Sequence, residues 1–474
     1  MKKLIFVIII GTVMGENPPF SFNGWVDFAH ISRLSDYSII DIPYRMASLD
    51  FIHQSENLSI NGNFTLEYQI RRDSYFLGSK DPQDFRLDMR ELYTTYSGPN
   101  FEIRIGKQIH SWGNVDENSP VDNASAFDYY YIFFLGRERK MATLSGAVDY
   151  YVGNLKLNAV FSPLHTTNRV PLGDDDFPIT LPIYPHESQI FTIGDLPFEG
   201  GIQGTYSFGM GEISMSYFSG YDRTFNLTGV NIYGHGADLS FPYLDILFGY
   251  RKTNVFGFGG IFLTDWFILR GDYGYFNTED QNINIDRESP YNATWYDSLH
   301  FSYPLLEKSD YFQSTIQLET ELPFKINFIA QFFQFDTLNY SSGSLPIDQD
   351  ISIPNLEIDP EDMTPSNFFT PGMGVPLAVI TNRAAIIIID KTFMNEQFKV
   401  STMSMLDLGK YEGVSGVAGS LTEYKIEYNI SQDLLGLFGI TKVIGNKDHP
   451  DGDQYQFNKM EYFSHFRFEL KYFF

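Results

Sequence analysis

From Phe466 the chain alternates without a break. Phe466, Phe468, Leu470, Tyr472 and Phe474 hold one parity, and Arg467, Glu469 and Lys471 hold the other. A strand sends successive side chains to opposite faces, so this segment has one aromatic, oily face and one charged face. The pattern recurs along the chain. Phe64, Leu66, Tyr68 and Ile70 alternate with Thr65, Glu67, Gln69 and Arg71. Phe101, Ile103 and Ile105 alternate with Glu102, Arg104 and Gly106, and Leu155, Leu157, Ala159 and Phe161 with Lys156 and Asn158. Phe267, Leu269, Tyr273 and Tyr275 alternate with Arg270 and Asp272, and Tyr424, Ile426, Tyr428 and Ile430 with Lys425, Glu427 and Asn429. Two-faced strands of this kind build either a soluble sandwich, apolar face inward, or a membrane barrel, apolar face outward.

Composition favours the barrel. Aromatic residues make up 17% of the chain, with 44 Phe and 31 Tyr, more than one soluble core requires. A lipid face with two interfacial girdles uses them. The densest apolar run, Ala384 to Ile389, stops at Asp390, too short for a spanning helix. Lys2 and Lys3 precede a short apolar core, Leu4 to Ile10, and Val13-Met14-Gly15 offers a cleavage site. Residues 1–15 are therefore expected to be a removed secretory signal, and residues 16–474 a single barrel domain. The absence of cysteine fits passage through an oxidising periplasm and excludes thiolate metal sites and cysteine nucleophiles. The closing strand, ending on Phe474, resembles the C-terminal signature of Gram-negative outer-membrane β-barrels. That resemblance implies recognition by the barrel assembly machinery and residence in the outer membrane.

The expected fold is thus all-β: a transmembrane antiparallel up-and-down barrel with a polar lumen. Backbone groups in lipid must all be paired, so the sheet must close, the last strand meeting the first near Phe22 to Phe28. Tight turns are expected at Glu56-Asn57, Ser97 to Asn100, Gly153-Asn154, Gly209 to Gly211, Asn395-Glu396 and Ser431 to Asp433. Longer irregular stretches lie at 111–136, 165–199, 277–310 and 337–372. Barrels of this class keep short turns on the periplasmic side and long loops outside. Segmentation gives about 18 strands, within 16–20, and is least defined from Gly234 to Asp265. The net charge is −26, and the four long stretches hold 23 acids against three bases, a net of −20. Such loops either keep the surface solvated or bind calcium or magnesium. Asp174-Asp175-Asp176 and the run Asp348, Asp350, Glu357, Asp359, Glu361, Asp362 supply hard oxygen ligands that would bridge to lipopolysaccharide. Neither has the spacing of a defined calcium loop, and no resident cofactor is expected.

One internal segment stands out: Arg104-Ile105-Gly106-Lys107-Gln108, then Trp112-Gly113, then Pro120-Val121-Asp122, preceded by Phe85 to Tyr93. This order resembles porin-like barrels of the alginate-export group, whose early strands carry an Arg-x-Gly-x-Gln run, a Trp-Gly pair and an Asp-containing loop. The resemblance covers residues 85–130 and the two termini, and Asn114 after Trp112-Gly113 marks where it fades. If the apolar parity faces lipid, Glu67, Arg71, Arg86, Asp88, Arg90, Glu102, Arg104 and Gln108 face the lumen on one wall. The loop beyond Trp112 carries Asp116, Glu117, Asp122 and Asp128 with no base. Folded inward, it would set acids against arginines across a gap, producing a transverse field that filters polar solutes. The same charges would equally serve as an ion-pair network that fills the interior.

A lipase-type site needs Ser, His and an orienting Asn or Asp at one girdle. None of the nine histidines lies in a nucleophile motif, and His110 reads as a polar rim residue. No phosphate loop, HExxH helix or nucleic-acid patch is present. No catalytic residue is expected. The sequence points to a porin-like channel passing small hydrophilic solutes passively, with weak cation preference from its acidic mouth. The rival is a non-conducting surface or assembly barrel whose acidic loops bind a partner or polysaccharide. An outer-membrane hydrolase is the third reading.

Overall fold

The computed structural model describes residues 20–40, 42–69, 85–134, 138–171, 176–179, 185–194, 197–235, 238–288, 300–345 and 364–474. The segment expected to be a signal, Arg71 and the acidic runs at 174–175 and 348–362 lie outside them.

Eighteen strands form one closed antiparallel sheet. In chain order they are β1 (Phe20–Arg33), β2 (Pro43–Ser55), β3 (Leu58–Gln69), β4 (Phe85–Ser97), β5 (Phe101–Gln108) and β6 (Thr143–Val152). Next come β7 (Leu155–Ser162), β8 (Glu199–Phe208), β9 (Gly211–Tyr221), β10 (Lys252–Leu263), β11 (Ile268–Glu279) and β12 (Lys308–Leu322). The circuit ends with β13 (Ile326–Ser341), β14 (Arg383–Phe393), β15 (Phe398–Asp407), β16 (Gly419–Asn429), β17 (Leu434–Ile444) and β18 (His465–Phe473). Each strand pairs with its sequence neighbours, and β18 returns to β1 with Trp25 opposite Phe473 and Phe28 opposite Leu470. The closing strand meets the first within the stretch expected from sequence, and no strand edge is left in the membrane.

The apolar parity faces outward. Ile105, Phe161, Met215, Ile316, Tyr424 and Phe468 are all exposed, whereas Glu67, Asp149, Asp272, Gln317, Glu423 and Arg467 on the other parity are buried inside. A soluble sandwich would reverse this. An apolar belt on a closed sheet makes this a transmembrane β-barrel of the outer-membrane type. The bulge opposite Asn63 and Phe64 inserts Arg90 as an extra residue in β4. It lets Asp88 above it and Glu91 below it both point inward, although their parities differ.

All six expected turns are present, and Thr264 to Phe267 and Pro323 to Lys325 complete the short-turn end. Asp238–Gly249, within the segment where strand ends were least defined, joins Asn226–His235 and His300–Pro304 in a three-stranded sheet separate from the barrel. Only from Lys252 does the chain rejoin the wall. At the long-loop end a hydrophobic core sits inside the mouth, joining Phe133, Phe177, Leu377 and Phe463 from four loops to Ile31 and Phe333 on the wall.

Candidate functional site

Residues 109–134 and 138–142, between β5 and β6, turn into the barrel and cross it. The crossing can be followed by its partners. The Ile109 amide donates to Glu91 on β4 (2.8 Å), and His110 Nε2 meets Ser145 Oγ on β6 (2.8 Å). Burial lowers the His110 pKa to about 4, which keeps the ring neutral there. Trp112 Nε1 donates to Asn158 on β7 (2.8 Å). Asn114 donates through its side chain to Ser214 on β9 (3.0 Å) and to Asp272 on β11 (2.7 Å). The Asp116 amide reaches Gln317 on β12 (3.0 Å), and the Asn118 side chain reaches Gln331 on β13 (2.9 Å). The insert therefore leaves one wall, touches the opposite one near Asn118, and returns to β6 beside its start.

Missing side chains on the wall make room for it. Gly201, Gly257, Gly259 and Gly274 lie on the inward parity of β8, β10 and β11. A β-carbon at Gly201 would stand 2.7 Å from the Trp112 ring, one at Gly257 2.6 Å from Val121, and one at Gly274 3.3 Å from the Pro120 carbonyl. At Gly259 it would collide with Asn114 and Asp272. The four glycines form a trench in which the insert lies. A second inward segment, 364–382, lies against the first. The Gly374 amide donates to Asn123 (2.9 Å), the Val375 amide to Gln313 on β12 (2.7 Å), and Arg223 to the Asn123 carbonyl (3.0 Å).

The charged residues picked out from sequence are distributed as follows. Asp88 sits 3.4 Å from the Lys107 ammonium, although Lys107 belongs to the outward parity and reaches over the end of β5. Arg90 donates to the Lys140 carbonyl of the insert (3.0 Å). Arg104 bridges Asp149 (3.0 Å) and Glu102 (3.5 Å), and Gln108 is buried on the Ser145 carbonyl (3.1 Å). Arg86 is exposed and lies opposite Glu67 in the register. Glu67 accepts from Arg169 (2.8 Å) and Tyr131 (3.1 Å). The four acids picked out beyond Trp112 each have a cation away from β3–β5: Asp116 has Arg270 (3.5 Å) and Asp128 has Arg169 (3.0 Å), while Glu117 has Arg139 (3.2 Å) and Asp122 has Lys140 within the insert itself. Burial pushes the Asp122 and Asp128 carboxyls up, with Lys140 and Arg169 respectively pulling them back. The insert carries its acids past β3–β5 to other bases, so the two sets do not face each other as paired plates.

Several residues that hold this arrangement were not singled out from sequence: Asp149, Asn158, Asp272, Arg270, Gln317, Gln331, Arg139 and Lys140. Those on strands share a signal, a polar side chain on the inward parity, which the alternation already marks. The glycine trench has the same signature with the side chain removed.

A serine–histidine–acid order occurs once among the bonds described. His300 Nε2 lies 3.2 Å from Ser302 Oγ and Nδ1 lies 3.3 Å from Asp286. It sits on the outer three-stranded sheet rather than at a girdle, and the Asp286 side chain is 66% exposed, where water screens its hold on the imidazole. Asp176 lies against Arg33, and no group of three or more His, Asp or Glu positioned to hold a metal occurs among the described residues.

Fold and lumen together define the class: a large transmembrane barrel with a loop inserted across its interior. No family model and no curated protein matches the chain. Solved structures of similar architecture include Acinetobacter baumannii OccAB4, at 10% identity, 97% of this chain, 100% of that one and a TM-score of 0.46. Pseudomonas aeruginosa OpdK with vanillate follows at 9% identity, 96% and 98% coverage and 0.45. Salmonella typhi OmpF in complex with daunomycin has 8% identity, 96% and 97% coverage and 0.38.

Proposed function

We propose that this barrel passes small hydrophilic solutes by passive diffusion through an aqueous lumen that the insert narrows. One observation carries the reading: charged side chains inside the barrel stay wet. Asp116 is 55% and Glu117 51% exposed at the tip of the insert, near the short-turn end of β11 and β12. Glu102, Arg104 and Lys156 on the facing wall are part-exposed as well. Ions in an enclosed sheet keep that exposure only if water reaches them. The route that fits runs along β3–β5, because the insert occupies the trench on β8–β11. Glu138 and Ser111 of the insert are exposed, as is Arg86 on β4.

Charge argues for weak cation preference. Glu212, Glu319 and Glu321 share the inward parity with Arg270 on the wall beneath the insert, and Asp116 and Glu117 add to them. An excess of acids in a confined aqueous passage raises the local cation concentration. The Arg104 to Gln108 run with Trp112-Gly113 supports a place near the alginate-export-type porins: Gln108 and Trp112 root the insert, and Arg104 lies on the wall it leaves free.

A second reading has its own support. Residues 118–134 are almost wholly buried and continue into the core at the mouth, as a plug would. A non-conducting surface or assembly barrel would have that interior. Planar-bilayer recording separates the two. Stepwise conductance with reversal potentials shifted toward the cation is expected for the channel. Absence of conductance from correctly folded protein, or strong anion selectivity, would overturn it.

A further inference from the structure

The lipid-facing surface is not uniformly smooth. Across β6–β9 the outward parity sets Ala159 opposite Ile202 and Gly204 opposite Leu157, so adjacent strands carry a lone methyl and no side chain at diagonally neighbouring positions. The result is a groove of about 460 Å³. Its sides are Ile202 and Met215, which stand 62% and 69% exposed. Tyr150 closes the end near the short turns, and Tyr217, whose hydroxyl donates to Asn254 (3.0 Å), closes the other. The polar side chains of this stretch point the other way: Asn158 bonds Asp149 inside the barrel (2.8 Å). The groove therefore offers mainly hydrocarbon contacts between its tyrosine ends, and it is continuous with the membrane belt already described.

We propose that this groove holds one acyl chain of a phospholipid from the periplasmic leaflet, retained more tightly than lipid elsewhere on the barrel. The occupant follows from place and shape. A void in an apolar surface loses dispersion contacts unless something fills it, and in a bilayer the filler at hand is a tail. A narrow furrow flanked by high ridges fits a flexible chain, whereas a flat face would fit another protein. Tyrosine marks interfaces where one end is apolar and the other wet, and Tyr150 places the entrance at the short-turn side. The inference rests on the fold and not on conduction.

The test uses full-length protein refolded in detergent with a phosphatidylethanolamine and phosphatidylglycerol mixture, followed by native mass spectrometry. The barrel is expected to keep one phospholipid. The double variant Ala159→Phe with Gly204→Leu fills the furrow and should lose it. A β-carbon at Gly204 meets only Leu157 at 3.5 Å, an ordinary contact, so the strand accepts the change. The variant Ile426→Phe on β16 should keep the lipid, and resistance to unfolding in cold detergent confirms that each variant is folded. Retention by the double variant, equal loss in Ile426→Phe, or no lipid on the native barrel would each overturn the assignment. So would a native oligomer that the double variant splits into monomers, which makes the occupant a second copy of this chain.

Discussion

Asp272 on β11 grips Asn114 twice. One carboxylate oxygen accepts from the Asn114 amide (2.7 Å) and the other from its side chain (2.7 Å), while the Val115 amide adds a third bond (3.0 Å). These bonds pin the insert just before its tip. Replacing Asp272 by Ala leaves those buried donors unpaired, at about 1–3 kcal/mol for each that water does not reach. Asp272→Ala should unfold at lower urea than the native barrel. Its single-channel trace should be larger in conductance and noisier, because the insert no longer holds one position. Unchanged current noise in a destabilised barrel would assign Asp272 to wall packing alone.

The trench makes a second, sterically independent prediction. Gly257→Val places two methyl groups where Val121 and the Ser216 hydroxyl now sit. Overpacking of this kind costs about 1–3 kcal/mol. The wall is a continuous hydrogen-bonded sheet, so the insert should yield first. Conductance should rise as it does for Asp272→Ala, and combining the two changes should add less than their sum because they release the same element. Full additivity would mean that the trench and the carboxylate act on different parts of the channel.

How far the sequence reaches can be judged from single residues. Phe468 and Arg467 declare their faces by parity alone, and the same rule places Glu102, Arg104 and Asp272 inside. That rule also gives closure, because strands with oily faces turned to lipid have no other way to pair their edges. Parity fails at Arg90, where a bulge resets the alternation, and at Lys107, whose long side chain leaves the face its backbone assigns. It is silent on the insert. Whether Asp116 meets Arg104 or Arg270 depends on how far the insert travels before it is caught, and that is set by Gly201, Gly257, Gly259 and Gly274 on strands remote in sequence. The least defined segment, Gly234 to Asp265, has a related reason. Asn226–His235 alternates like a wall strand, but its partners lie at 238–249 and 300–304, outside the barrel.

The tip of the insert sets the expected selectivity. Asp116 and Glu117 are far more exposed than Asp122 and Asp128, and their partners Arg270 and Arg139 are more buried than they are. Neutralising both, as Asp116→Asn with Glu117→Gln, removes two negative charges from the passage while leaving side-chain shape intact. The reversal potential in a tenfold salt gradient should move toward the anion by several millivolts, and the effect should shrink at high salt as screening sets in. The doubly neutral Asp122→Asn with Asp128→Asn, altering buried acids, should move it far less. Equal shifts from the two pairs would place the permeant ion near 122–128 instead.

The last prediction concerns pH at the mouth. Arg251 is fully buried and binds Asp222 (2.7 Å), Asn226 (2.7 Å), Glu307 and the Thr370 carbonyl (2.5 Å), while the Arg223 amide holds the Gly372 carbonyl (2.8 Å). One guanidinium thus ties the second inward segment to the β9–β10 and β11–β12 connections. Beside it, Asp280 accepts the Glu307 amide (2.9 Å). Burial, with Glu307 and Asp222 nearby, raises the Asp280 pKa from 3.8 to about 7, against the pull of that amide and of Arg251. The folded protein therefore keeps a proton that the unfolded chain has released. Its contribution to stability is greatest below about pH 4 and declines as pH rises toward 7, because the unfolded state binds fewer protons over that window. Above it, a third carboxylate shares a single arginine, and the tie on 364–382 weakens. Hydrogen exchange at the amides of 370–376 should be slower at pH 5 than at pH 7.5 after correction for intrinsic rates. In Asp280→Asn the amide contact remains and the proton is gone, so the difference should vanish. A difference that persists in Asp280→Asn would move the titration to another group in the cluster.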